Sequence, residues 1–178
     1  LLMEDGLCDW EHVGIVLQAY LKGGEIDLEN MLSWAERRGT PFAIRLVKGA
    51  YWDAETAAAE RYYAEPPVWI NKWETDACYE RMTRTMLENA DLIRPCFASH
   101  NVRSIAVICA FAEQIGLSPR GYELQMLYGM GDPLKTAVVA LGRCLRVYCP
   151  YGDLMPGMGY LIRRLLENSS NDGFLKQS

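Results

Sequence analysis

The sequence predicts an α/β fold on a parallel sheet, and three observations carry that prediction. Strand-like and helix-like segments alternate along the chain. Five strand-like runs occur, each followed by a helical one, the pattern of parallel strands joined by helical crossovers. No G-x-G-x-x-G follows any strand, which weakens a dinucleotide-binding version. Open doubly wound sheets and closed barrels both fit this alternation.

The elements follow in order. Residues 13–20 (VGIVLQAY) form an apolar run rich in β-branched residues, the first strand. Residues 26–38 carry Ile26, Leu28, Met31, Leu32 and Ala35 near helical spacing and stop at Gly39. Residues 42–50 (FAIRLVKGA) are the second strand. A helix over 54–63 is stopped by Pro66-Pro67, and another runs over 76–89. Residues 65–75 break the rhythm and are expected to cross the mouth of the sheet. A third strand (92–99) precedes a helix over 102–115 that ends at Gly116. A fourth strand (122–128) precedes a helix opened by Asp132-Pro133, an acidic cap with Pro in the first turn. The fifth strand is 145–149, and the last helix 160–168. Residues 169–178 read as a polar tail or linker.

Composition limits the function classes. Half of the 178 residues are hydrophobic, enough to bury one sizeable core. The net charge is −5 and the basic residues are scattered, so no nucleic-acid partner is expected. The six cysteines form no C-x-x-C pair and only two histidines accompany them, so no metal is expected and the thiols read as buried and free. No signal peptide is evident, and the longest apolar stretch, 105–112, is well short of the ~20 residues of a membrane helix. The opening Leu1-Leu2-Met3-Glu4-Asp5 looks like a cut through a larger protein.

The chemistry is expected where the strands end, because parallel barrels keep their active sites there. Val16, Gln18 and Tyr20 share one face of the first strand; Arg45, Val47 and Gly49 of the second; Glu123, Gln125 and Leu127 of the fourth; Arg146 and Tyr148 of the fifth. A Gln or Arg inside an apolar strand is costly without a partner. A polar ligand over the sheet would satisfy these residues together; pairing with one another in a polar layer would do so too. The run from Arg45 to Asp53 sets two cations, Gly49 and the aromatics Tyr51 and Trp52 at one strand end, either a site or an exposed loop of mixed charge. Gly49 permits close backbone approach, and a cation beside a flavin ring can stabilise its anionic reduced form.

Tyr160, Arg163, Arg164 and Glu167 follow i, i+3, i+4, i+7 spacing and share one helical face. Paired guanidinium groups can clamp a small carboxylate; a solvated face with an ordinary Arg163–Glu167 pair is the alternative. His100, after the third strand, is either a satisfied structural residue or a phosphate or ribityl contact at a helix start. Lys48 is a candidate Schiff-base lysine of a flavin-free barrel aldolase, but alternation places it opposite Arg45.

Four segments, IRLVKGAYWD, FASHN, ELQMLYGM and YLIRRLLENSSN, resemble the proline dehydrogenase domain of bacterial bifunctional proline utilisation proteins, in order and across essentially the whole chain. The resemblance implies an oxidoreductase on a (β/α)8 TIM-type barrel, of which residues 1–168 would supply the C-terminal five β/α units, the first three being absent. It implies non-covalent FAD and oxidation of L-proline to 1-pyrroline-5-carboxylate, with electrons passed to a membrane quinone. By the same resemblance, Arg45 would lie near the reactive flavin nitrogen, and Gln18 and Gln125 at the pyrimidine edge. Val47, Lys48, Gly49 and Trp52 would give backbone and stacking contacts; His100, Asn101, Thr75 and Glu167 further cofactor contacts. Arg163 and Arg164 would hold the proline carboxylate, with Tyr51, Tyr148, Tyr160 and Leu127 lining the pocket. Arg45, Tyr148, Arg163 and Arg164 would carry the catalysis. The parent would be cytoplasmic, in peripheral contact with the inner face of the membrane, and fused to a glutamate-semialdehyde (aldehyde) dehydrogenase domain. The piece alone is expected to be inactive or poorly folded. A scaffold that keeps the fold without the cofactor is the remaining alternative.

Overall fold

The structure is a computed structural model and describes residues 9–153, 157–159 and 162. Five strands form one sheet in the order β1-β2-β3-β4-β5, so each strand pairs with its sequence neighbour. They are β1 (Gly14–Gln18), β2 (Phe42–Val47), β3 (Ile93–Ala98), β4 (Glu123–Leu127) and β5 (Leu145–Tyr148), all parallel. The intervening helices are α1 (Gly24–Arg38), α2 (Trp52–Arg61), α3 (Lys72–Glu88), α4 (Val102–Gln114) and α5 (Asp132–Ala140). The order never reverses, so the sheet has no doubly wound switch point.

Alternation along the strands separates two unlike faces. Phe42, Ile44, Leu46, Ile93, Phe97, Leu124 and Met126 are buried in one core with Leu28 and Ala35 of α1, Tyr79, Met82 and Met86 of α3, Ile105 and Ile108 of α4, and Val138 of α5. That is the helix-covered face. The opposite face carries Val16, Gln18, Arg45, Val47, Cys96, Glu123, Gln125, Leu127, Arg146 and Tyr148.

Several expectations from sequence need correction. β1 ends at Gln18, although Ala19 and Tyr20 still donate N–H bonds to the Val47 and Lys48 carbonyls at 2.9 and 2.8 Å. α2 starts at Trp52 rather than 54. α3 starts at Lys72, four residues before the expected 76, because Glu74 accepts the Asn71 backbone N–H at 2.9 Å, half of a capping box. The irregular segment is therefore shorter. It lies against the end of β1: Lys22 N–H donates to the Pro67 carbonyl at 2.9 Å and Trp69 N–H to that of Tyr20 at 2.8 Å. The thiols also divide. Cys78 and Cys96 are buried and Cys109 is half-buried, but Cys144 and Cys149 are exposed, because they flank the end strand β5. All five are free. The expected helix over 160–168, with Tyr160, Arg163, Arg164 and Glu167, lies outside the described residues.

Candidate active site

The opposite face is polar in rows set by the strand register. Arg45 pairs with Cys96, and Cys96 with Glu123. One row on, Gln18 pairs with Val47, and Ala98, Gln125 and Arg146 lie abreast. Leu127 and Tyr148 make the next row, at the strand C-terminal ends.

Two side chains show the shape of this face. The Arg45 guanidinium carbon lies 4.7 Å from the Tyr148 ring centroid, a cation–π contact between β2 and β5. Three interstrand steps separate those strands, about 14 Å on a flat sheet. The side chains meet because the face is concave.

Part of the polar layer satisfies itself. Arg146 donates to both Glu123 oxygens, Nε to Oε1 at 2.7 Å and Nη2 to Oε2 at 2.6 Å, and Gln125 Nε2 donates to Glu123 Oε1 at 2.6 Å. Burial pushes the Glu123 carboxyl up, but these donors prevail and hold it below the usual carboxylate range. Burial raises the neighbouring Cys96 thiol to about 11, so it stays protonated at neutral pH. Two atoms stay unsatisfied: Arg45 Nε, a donor, and Gln125 Oε1, an acceptor, are buried without a hydrogen-bond partner among the described residues. The self-pairing route is thus present in part. The layer pairs with itself through Glu123, and it leaves one donor and one acceptor over.

Lys48 points the other way. Its Nζ lies 2.6 Å from Asp76 Oδ1 on α3 and 5.6 Å from the Tyr79 ring centroid. Burial lowers its pKa, and Asp76 works against that shift. This ammonium holds β2 to α3 and does not face the Arg45 layer, which removes the support for a Schiff-base role there. Gly49 has φ +137, and a Cβ at that position would fall inside the Tyr20 ring. What approaches Gly49 closely is Tyr20, which alternation groups with Val16 and Gln18.

The loops beyond the strands place the rest. Leu127 N–H donates to His100 Nε2 at 2.9 Å, so His100 ties the end of β3 to that of β4. Asn101 Oδ1 accepts the Ser104 N–H at 3.0 Å and caps α4. Trp52 Nε1 donates to the Trp69 carbonyl at 2.8 Å, Tyr51 precedes α2 and is exposed, and Thr75 is buried in the first turn of α3. Asp76 was also missed, and Glu123, placed on this face by alternation, was given no role of its own. Both act through partners on another element, Glu123 by a diagonal cross-strand pair visible only once the β4–β5 register is known.

Comparison with known proteins bears on this face. The proline dehydrogenase family model matches residues 1–177. The chain belongs to the proline dehydrogenase family. It is 39% identical over 184 residues to the bifunctional protein PutA of Escherichia coli (strain K12), covering 99% of this chain and 14% of that protein. It is 35% identical over 165 residues to proline dehydrogenase 2 of Bacillus subtilis (strain 168), covering 93% of this chain and 48% of that one. The crystal structure of PutA from Bdellovibrio bacteriovorus inactivated by N-propargylglycine superposes with a TM-score of 0.92 at 48% identity, over 99% of this chain and 18% of that one. This chain thus spans about one-seventh of the bifunctional relatives and about half of the Bacillus one.

Proposed function

We propose that the chain forms part of a flavoenzyme that oxidises L-proline to 1-pyrroline-5-carboxylate, the first step of proline catabolism. The observation that carries this reading is the unpaired pair on the concave face, Arg45 Nε and Gln125 Oε1. Each is costly to bury alone, about 1–3 kcal/mol. A planar heterocycle with both acceptor and donor positions on its rim would complete both, so the residues present fit FAD.

When bound, FAD would accept the hydride that leaves proline and later give up the electrons, in our reading to a membrane quinone. The protein's own groups position and neutralise. Arg45 would place a fixed positive charge over the face, favouring the anionic reduced flavin. Gln18 and Gln125 would bind the polar rim of the ring. Val47, Lys48 and Gly49 would contribute backbone at the end of β2, since the Lys48 ammonium is held by Asp76. Trp52, Thr75, His100, Asn101 and Glu167 would surround the remainder of the cofactor. Arg163 and Arg164 would clamp the proline carboxylate, with Tyr51, Leu127, Tyr148 and Tyr160 shaping the pocket. Their contribution is orientation, which holds the reacting carbon in place.

The same reading makes the five units part of a (β/α)8 barrel. Monotonic strand order, the packing of α1, α3, α4 and α5 on the same face and a concave polar face support it. It further makes the parent a bifunctional cytoplasmic protein with a fused aldehyde dehydrogenase domain and peripheral membrane contact. Among the described residues no helix is long and apolar enough to cross a membrane.

The test is the full-length protein purified with its flavin. Anaerobic L-proline should bleach the flavin absorbance and yield pyrroline-5-carboxylate. Arg45→Met should lower the bleaching rate by about 10²-fold or more, the scale of losing one preorganised charge at a reacting centre. A flavin-free protein, or bound flavin indifferent to proline, would refute the proposal.

A further inference from the structure

Gln125 lies on the concave face, nine-tenths or more buried, with its two terminal atoms in different states. One is hydrogen-bonded to Glu123 at 2.6 Å and the other has no partner among the described residues. A glutamine amide can ordinarily turn over and exchange its donor and acceptor ends. Here it cannot. An ionised carboxylate only accepts, so the atom facing Glu123 must be the NH2. The two-pronged bond from Arg146 keeps Glu123 ionised and fixes its plane. The free end of Gln125 is therefore always the carbonyl oxygen.

We propose that Glu123, held by Arg146, is a positioning residue that sets the hydrogen-bond polarity of Gln125, so that the bound ligand must present an N–H or O–H donor to this position and not an acceptor. This rests on the flavin reading only for the donor's identity, the ring N–H of the flavin pyrimidine edge. Glu123 need not touch the ligand. It selects through the amide, and a mismatched acceptor would leave two oxygens facing each other, a loss comparable to an unsatisfied buried group.

The test is a double-mutant cycle on FAD affinity in the full-length protein, with thermal melts as the control for folding. Glu123→Gln should weaken FAD binding about tenfold, one buried hydrogen bond, because a neutral amide at 123 lets Gln125 turn over. Gln125→Met should weaken it similarly, and Glu123→Gln should cost nothing further in that background. Additive losses, or Glu123→Gln binding FAD like the wild type, would overturn the proposal. Should the 123 variants fail to fold, a crystal structure of the wild-type flavoprotein decides. A flavin N–H against Gln125 Oε1 supports it; a flavin acceptor there, or Gln125 beyond hydrogen-bond reach of Glu123, sinks it. Protein that takes up no FAD yet keeps the Gln125–Glu123 bond overturns the flavin reading and leaves the fixed polarity standing.

Discussion

Asp76→Asn and Lys48→Met should have opposite consequences although they break the same ion pair. The Lys48 side chain is 6% exposed, that of Asp76 32%, and the two meet at 2.6 Å. Removing Asp76 leaves a buried ammonium whose nearest compensation is the Tyr79 ring. Breaking a buried pair from one side costs about 3–5 kcal/mol, and the partial exposure of Asp76 brings the expectation to about 2–3 kcal/mol. For a domain of this size that lowers Tm by roughly 4–12 °C. Lys48→Met removes the charge together with its desolvation, keeps the aliphatic stem, and leaves Asp76 partly in water. Its cost should stay within about 1 kcal/mol. Burial already holds the Lys48 pKa below that of a free lysine. The unfolded chain then binds the extra proton first, so stability at this site rises with pH above the folded pKa. The Asp76→Asn deficit should accordingly shrink as pH rises towards the ordinary lysine range, while the Lys48→Met difference does not. Urea and thermal unfolding of the protein at neutral and alkaline pH measure both. Asp76→Asn within about 0.5 kcal/mol of wild type, or equal losses for both variants, would refute the reasoning.

Three further outcomes are expected. Gly49→Ala forces a side chain into φ +137 and into the Tyr20 ring, so it should cost about 2–4 kcal/mol in urea unfolding; pairing it with Tyr20→Leu should recover part of that loss. Gln125→Leu removes an unpaired buried carbonyl together with the amide bond to Glu123, two effects of opposite sign, so flavin-free stability should stay within about 1 kcal/mol of wild type while FAD affinity falls about tenfold, read by melts and flavin fluorescence. The Glu25 carboxyl is held low by its hydrogen bond from Arg81, and the Glu123 carboxyl, against burial, by Arg146 and Gln125. Their contributions are complete above the unfolded carboxylate pKa of about 4.3 and fade as pH falls through the lower folded values; urea midpoints between about pH 5 and 3 should drop, and less steeply in Glu25→Gln.

The fold was legible because each strand announces itself by an apolar, β-branched run and each helix by periodicity and a breaker. Alternation alone placed Arg45, Gln125 and Tyr148 on one face and Lys48 on the other, as the register and the Asp76 contact show. What stayed hidden depends on facts between elements. The early start of α3 is set by a local cap at Asn71 and Glu74, weak against the Pro66-Pro67 break just before it. The exposure of Cys144 and Cys149 follows from β5 lying at the end of the sheet, which periodicity cannot report. Gly49 invited a ligand on sequence grounds, yet its space is taken by a ring from the previous strand's end.

Neither face is fully satisfied: Tyr79 Oη and Thr83 Oγ1 of α3 are buried without a hydrogen-bond partner among the described residues, as Arg45 Nε and Gln125 Oε1 are on the concave side. On the helix side, the buried cation has found its carboxylate and the apolar residues close one core. On the concave side, three polar side chains satisfy one another through Glu123, and the remaining valences of Arg45 and Gln125 do not turn to each other although they share that face. On the flavin reading proposed above, a third group is held between this donor and this acceptor. The sequence then has to keep each one from finding a protein partner, and the Tyr148 ring over Arg45 and the carboxylate beside Gln125 do that.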